Sequence, residues 1–171
     1  GTIARMLTTP TRPPGVVTGK MLGIFATAVV QLGILVTACA LLFGLDWGAP
    51  WTVALLIAAT ACGATGWGML VAVLARSPSQ AMSVGSAVML IFGILGGTFI
   101  PVSRFPGILV MIAKVSPNFW AIDGFAGLAV DSTFAGVATH LVALTVMGIS
   151  LLLASSMILV ARRTSLIRSI G

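Results

Sequence analysis

Charged side chains are scarce in this sequence. Its 171 residues include nine Lys and Arg, three Asp and no Glu, so that only 7% of the chain is charged while 58% is hydrophobic. Charged residues make up about a quarter of a typical soluble domain. So little charge excludes an ordinary soluble domain and indicates an integral membrane protein.

Residues that carry out catalysis or bind metals are equally scarce. The sequence has one histidine, His140, and two cysteines, Cys39 and Cys62, both inside long apolar segments. Two such cysteines exclude a disulfide framework or a CxxC metal site, and no P-loop pattern is present to bind ATP. His140 has no acid or nucleophile at a spacing that indicates a catalytic pair. The sequence therefore predicts no catalytic residue, no metal and no cofactor in this chain.

Long uncharged segments dominate what remains. Four segments each exceed the roughly 20 residues needed to cross a bilayer core of about 30 Å. They lack the alternation of barrel strands, and backbone in hydrocarbon must satisfy its own hydrogen bonds, so they are predicted to be helices. We predict an all-α integral membrane protein, one transmembrane domain over residues 1–171, with membrane helices at 20–45, 51–75, 79–100 and 134–161.

The basic residues are distributed unevenly between the two predicted sides of the membrane. With four spans both chain ends share a side, and that side carries seven of the nine basic residues: Arg5, Arg12, Lys20, Arg76, Arg162, Arg163 and Arg168. Only Arg104 and Lys114 fall on the other side. Because basic loops stay in the cytoplasm, we predict a multi-pass protein of the cytoplasmic membrane whose ends, 1–19 and 162–171, are both cytoplasmic. No basic stripe with exposed aromatics is present, which excludes nucleic-acid binding.

The segment 1–19 is predicted to lie against the membrane as a short amphipathic piece. Ile3, Met6 and Leu7 supply a small apolar face, while Arg5 keeps the segment in water or among lipid headgroups. Three prolines are predicted to keep it from continuing into the first membrane helix: Pro10, Pro13 and Pro14.

The connection at residues 101–133 is predicted to form a helical hairpin that dips into the outer leaflet. Apolar side chains repeat there at the spacing of an amphipathic helix, namely Phe105, Ile108, Leu109 and Ile112. Ser116-Pro117-Asn118 is predicted to end this helix before a second short one. A loop lying on the membrane surface is the alternative that the sequence leaves open. The shorter turn after the second span contains Ser77 and Pro78, which are predicted to cap and begin the third helix.

Small and polar residues within the spans indicate helix packing and a possible path. Gly93 and Gly97 form a GxxxG pair in the third span, and Cys62 and Gly66 repeat this spacing in the second. Such pairs let helices approach closely, within the chain or as a dimer contact along Gly93 and Gly97. A mildly polar set could line a translocation path: Thr27, Gln31, Ser83 and Ser86. Alternatively, the hydroxyls bond to their own helix and Gln31 bonds a neighbouring helix.

Four motifs follow one another along the chain. They are Gly1-Thr2 with Arg5, Met6-Leu7, Thr9-Pro10 and Gly19-Lys20; Leu74-Ala75-Arg76-Ser77-Pro78-Ser79-Gln80-Ala81; Gly97-Thr98-Phe99-Ile100-Pro101-Val102-Ser103 with Pro106; and Ser116-Pro117-Asn118-Phe119-Trp120-Ala121-Ile122-Asp123. Together they resemble type-2 ATP-binding-cassette (ABC) transporter permeases, the membrane subunits of bacterial exporters. The resemblance extends over the whole chain, and it covers the C-terminal two-thirds of a six-helix subunit.

The resemblance implies a permease of an ATP-driven exporter that moves an amphipathic, drug-like or lipid-linked cargo. A separate cytoplasmic ATPase, with its ATP and Mg, would move the N-terminal coupling segment; the implied contacts are Thr2, Arg5, Met6, Leu7, Thr9 and Pro10. A second permease copy and membrane lipid would be further partners. Pro117, Trp120 and Asp123 would mark the external hairpin. Ala126 stands where the family commonly has Arg, so Asp123 is expected to cap the following short helix instead.

Two other classes stay open on the residues alone. A secondary transporter or channel would be expected to carry an acid within the membrane, an interrupted helix or a repeated half. A structural membrane protein would need only the packing glycines. The presence of an ATPase partner distinguishes the exporter from both.

Overall fold

The computed structural model describes residues 13–131 and 134–168, which contain six α-helices and no strand. The helices are α1 Pro13–Phe43, α2 Pro50–Leu74, α3 Pro78–Leu95, α4 Gly107–Ala113, α5 Pro117–Asp131 and α6 Phe134–Arg168. Four helical stretches are long and apolar enough to cross a membrane: Thr18–Phe43, Pro50–Leu74, Pro78–Leu95 and Phe134–Ala161. The predicted all-α architecture with four membrane helices is confirmed.

The first helix begins earlier than predicted. α1 starts at Pro13, so residues 13–19 form its first turns and are not a separate segment. Proline is tolerated in the first turn of a helix, where its missing N–H has no helical partner anyway. Pro13 and Pro14 thus begin this helix. The expectation that the prolines separate it from the segment before them stays a prediction. Residues 1–12 lie outside the described residues.

The third helix ends at Leu95, five residues before the predicted boundary. Gly97 has a φ of +88°, its N–H donates to the carbonyl of Ile94 at 3.3 Å, and the N–H of Thr98 donates to the carbonyl of Gly93 at 3.1 Å. This pair of bonds around a left-handed glycine is the Schellman motif that commonly ends a helix. Gly97 therefore lies beyond the end of the helix, and Gly93 and Gly97 do not share one helical face within this chain. The dimer contact along this pair stays a prediction.

The second and last membrane helices form the most extensive helix contact in the fold. Glycines at the crossing bring the two backbones together: a Cβ on Gly66 would lie 2.8 Å from the carbonyl oxygen of Gly148, and one on Gly148 would lie 2.6 Å from the carbonyl carbon of Cys62. Only residues without a side chain there allow this approach. The small-residue spacing of Cys62 and Gly66 thus marks a real packing surface.

The buried core lies at the end of this crossing where the helix pair meets α5. Its fully or nearly fully buried members are Leu56, Ala59, Leu128, Val137 and Leu144. By contrast α1 contacts α2 along one side and leaves most of its own surface exposed. Helices α2, α5 and α6 therefore form the packed body of the structure, with α1 at its periphery.

Candidate functional site: the hairpin junction and the outer cavity

Residues 102–131 form the predicted pair of helices between the third and last spans. A short 3-10 turn at Val102–Arg104 leads into α4, and α4 meets α5 at an angle of 99°. The exposed apolar side chains of this region follow a helical spacing, at Ile108, Met111, Ile112 and Val115. The buried side of α4 is instead marked by Ala113, which is fully buried. Two helices joined by a sharp bend thus occupy the predicted region, and their exposed apolar face is suited to contact with lipid. Whether they dip into the outer leaflet stays a prediction.

Ser116 joins the hairpin to the end of α3. Its hydroxyl is buried, donates to the carbonyl of Phe92 at 3.2 Å, and accepts from the N–H of Asn118 at 3.2 Å. Ser116 therefore caps α5, as Ser77 caps α3 by accepting from the N–H of Gln80 at 3.1 Å. The interpretation of Ser116-Pro117 as the end of the preceding helix missed this role. The Ser-Pro pair that correctly located the start of α3 was the available signal.

The side chains of Asp123 and His140 form a hydrogen-bonded pair between the hairpin and the last helix. The Nε2 of His140 lies 2.8 Å from the Oδ2 of Asp123, and the imidazole is largely buried while the carboxylate is two-thirds exposed. Gly124 makes room for this contact, because a Cβ there would lie 3.2 Å from the Cβ of His140. Two sequence expectations were wrong: Asp123 lies within α5 and does not cap a following helix, and His140 does have an acidic partner.

Trp120 completes the junction. Its Nε1 donates to the carbonyl of Lys114 at 2.8 Å, and its ring meets the imidazole of His140 edge to face, with centroids 5.8 Å apart. The ring therefore covers the histidine from the hairpin side, while its indole N–H holds the bend between α4 and α5. Pro117, the third residue predicted to mark the hairpin, is the first residue of α5 and is buried.

A cavity of about 370 Å³ lies beside this junction, between α1, α2 and α5. We call it the outer cavity because it lies toward the end of the bundle that is predicted to be external. Its lining is mainly apolar: Leu32, Leu35, Val36, Cys39, Trp47, Thr60, Asn118, Ala121, Ile122 and Phe125. Trp47 bridges two of its walls, since Nε1 donates to the carbonyl of Val36 at 3.2 Å and the ring packs edge-on against Phe125. The volume falls within the range of about 300–1,000 Å³ typical of ligand pockets. The cavity is suited to a mostly apolar compound.

Two polar side chains line the outer cavity, Thr60 and Asn118. The hydroxyl of Thr60 is buried and has no hydrogen-bond partner within the described part of the chain. A buried hydroxyl without a hydrogen-bond partner is energetically unfavourable. A ligand with a polar group, bound in the cavity, could supply the missing hydrogen bond. Neither residue was singled out from the sequence, because nothing in the local pattern distinguishes Thr60 from the other threonines of α2.

The structure does not bring the four predicted path residues together. Thr27 and Gln31 are exposed on α1, and the hydroxyl of Thr27 donates to the carbonyl of Gly23 in its own helix at 2.8 Å. Ser83 and Ser86 are exposed on α3. This helix contacts α2, α4 and α5 and makes no extensive contact with α1. The predicted coupling residues, Thr2 to Pro10, lie outside the described residues.

Comparison with known proteins gives two matches. The family model for the ABC-2 type transporter matches residues 1–130. The linearmycin resistance permease protein LnrN of Bacillus subtilis (strain 168) is 28% identical over 124 residues, which cover 72% of this chain and 32% of that protein. The matched stretch is thus about a third of the relative's length. No solved structure matches the chain significantly.

Proposed function

The chain belongs to the ABC-2 type transporter family, and from this premise we propose that it is the permease part of an ATP-driven exporter of amphipathic compounds. A separate cytoplasmic ATPase would bind and hydrolyse ATP with Mg. Its motion would make the membrane helices alternate between inward-open and outward-open arrangements. A second permease copy would complete the complex.

The outer cavity is the observation that supports an amphipathic cargo. Its walls are apolar side chains of α1, α2 and α5, and its polar groups are confined to Thr60 and Asn118. A hydrophilic solute would lose its hydration there without replacement, whereas a lipid-like or drug-like compound would bury apolar surface and keep a hydrogen bond. The name of the Bacillus relative associates that protein with resistance to linearmycin, which makes linearmycin the first compound to test.

The coupling role belongs to the N-terminal residues. Thr2 and Arg5 would make polar contacts with the ATPase, Met6 and Leu7 would fill an apolar groove on its surface, and Pro10 would end the segment. Because α1 follows within a few residues, a displacement of this segment would be carried directly into the helix that forms one wall of the outer cavity.

Transport assays with matched variants test the proposal. The permease and its ATPase are reconstituted in vesicles, and ATP-dependent movement of linearmycin is measured. Arg5→Glu should lower both transport and cargo-stimulated ATP hydrolysis, while Arg104→Glu, on the predicted opposite side, should leave the coupling intact. Transport that is unchanged without the ATPase would contradict the exporter and favour a secondary transporter.

A second pair of variants tests the cavity. Ile122 lines the cavity and is 40% exposed, so Ile122→Trp should fill it and lower transport without overpacking the core. Ala126 lies on the same helix, is exposed and does not line the cavity, so Ala126→Trp is the control. Equal transport by both variants would remove the cavity from the proposed path.

A further inference from the structure

A second groove, of about 480 Å³, lies at the end of the bundle where α1 begins and α2 ends. Residues of three helices line it: Lys20, Met21 and Ile24 of α1, Thr65, Gly68, Met69, Ala72 and Val73 of α2 with Ala75 just beyond it, and Leu159 of α6. Apart from Lys20 and Thr65 these side chains are apolar. The groove is thus mainly apolar, with one cationic side chain, that of Lys20, at its mouth, the end where α1 begins. We propose that it binds an anionic phospholipid, with one acyl chain along the groove and the phosphate at Lys20.

The length of the groove matches one membrane leaflet. Its lining on α2 runs from Ala75 to Thr65, and ten helical residues at a rise of 1.5 Å each span about 15 Å. A bilayer core is about 30 Å thick, so one leaflet contributes about 15 Å of hydrocarbon. The groove begins at the end of α2 and extends over about the thickness of one leaflet. It is therefore about as long as the acyl chains of the lipids in that leaflet.

The charges at the mouth select the headgroup. Lys20 is exposed, and no carboxylate pairs with it in the described part of the chain. The sequence has only three acids, and one of them, Asp123, already contacts His140. Arg76, also exposed, directly follows the lining residue Ala75. Basic pockets between membrane helices at the cytoplasmic side are typical sites for anionic lipid headgroups. A zwitterionic headgroup would place its own cation beside Lys20 and gain less.

Gly68 offers a way to close the groove without disturbing the fold. A Cβ on Gly68 would meet no atom within 4 Å, and the residue is exposed on the groove wall. Gly68→Leu should therefore occupy the acyl-chain channel while leaving the packing of α2 on α6 intact. Lys20→Gln removes the charge alone, and Lys114→Gln removes an exposed charge that does not line the groove.

Lipid retention measured by native mass spectrometry tests the inference. The intact permease is purified in detergent and offered phosphatidylglycerol or phosphatidylcholine with the same acyl chains. We expect phosphatidylglycerol to be retained about fivefold better, this preference to disappear in Lys20→Gln and persist in Lys114→Gln, and both lipids to be lost in Gly68→Leu. The ATPase is absent from the measurement, so its result is independent of whether the chain exports a cargo.

Three outcomes would overturn the inference. The first is equal retention of both lipids by the unmodified protein, and the second is an unchanged preference in Lys20→Gln. The third is displacement of the lipid by millimolar inorganic phosphate, because this would mean that the headgroup binds without the groove.

Discussion

Adding one methyl group to Gly66 should separate the two helices that hold the bundle together. A Cβ there would lie 2.8 Å from the carbonyl oxygen of Gly148, 3.1 Å from the Cα of Gly148 and 3.1 Å from the Cβ of Leu151. Since ordinary contacts begin at 3.4 Å, α2 and α6 would have to move apart by at least about half an ångström. A gap of about 0.5–1 Å already forfeits a quarter to a half of the dispersion energy of the contacts it opens.

The expected cost of Gly66→Ala is about 1–3 kcal/mol of unfolding free energy, the usual range for overpacking a well-packed interior. Replacing glycine by alanine within a helix also favours the helix, by about 1 kcal/mol in water. Gly68→Ala provides the correction for this gain, since Gly68 is on the same helix two residues away and its Cβ would meet nothing within 4 Å. The difference between the two variants therefore isolates the helix contact.

Unfolding in mixed micelles of dodecyl maltoside and SDS, followed by tryptophan fluorescence, measures this difference. Gly66→Ala should unfold at a lower SDS fraction than the unmodified protein, whereas Gly68→Ala should unfold at an equal or higher fraction. If both alanine variants unfold together, the close crossing at Gly66 and Gly148 does not hold the bundle, and the packing argument fails.

Variants at three further features are tested by the same unfolding measurement. Ser77→Ala removes the cap of α3 and should cost about 1 kcal/mol; no loss would mean that the cap does not stabilise this helix. Gly97→Ala should cost about 1–2 kcal/mol because its φ is +88°, while Gly107→Ala, with open space around its Cα, should be tolerated; equal losses would contradict the turn. A double-mutant cycle with Asp123→Ala and His140→Ala should give a coupling of about 0.5–1.5 kcal/mol, and additive effects would show that this hydrogen bond contributes nothing.

The sequence was sufficient to identify the membrane helices, because their signal is local. A long uncharged segment must span the bilayer wherever the rest of the chain lies, and the four predicted spans match four helices of the structure. The predicted ends of these helices were less accurate at residues whose local chemistry allows two structures. Pro13 can begin a helix or separate two segments, and Gly97 can serve in a helix contact or end the helix with a positive φ.

The junction of the hairpin with the last helix could not be predicted from the sequence in the same way. Asp123 and His140 are 17 residues apart, on two helices whose relative position depends on how the whole bundle packs. The outer cavity has the same origin, since its lining comes from three helices and the loop residue Trp47. A polar side chain within one helix shows a helical spacing, but its partner on another helix leaves no periodic trace.

The uneven packing of the bundle has a mechanical consequence. Helices α2, α5 and α6 share the buried core, and the hydrogen-bonded pair of Asp123 with His140 adds a polar link between α5 and α6. The first helix contributes no described residue to this core: it contacts α2, and the hydrogen bond from Trp47 to Val36 ties it to the ring that packs on Phe125 of α5. The outer cavity and the groove at Lys20 both lie on the side of α1 that faces the bundle. A force applied at the N-terminal end of α1 therefore meets the least resistance if α1 moves against a fixed body. Such a movement would change the width of the outer cavity and of the groove at Lys20 at the same time, because α1 supplies one wall of each.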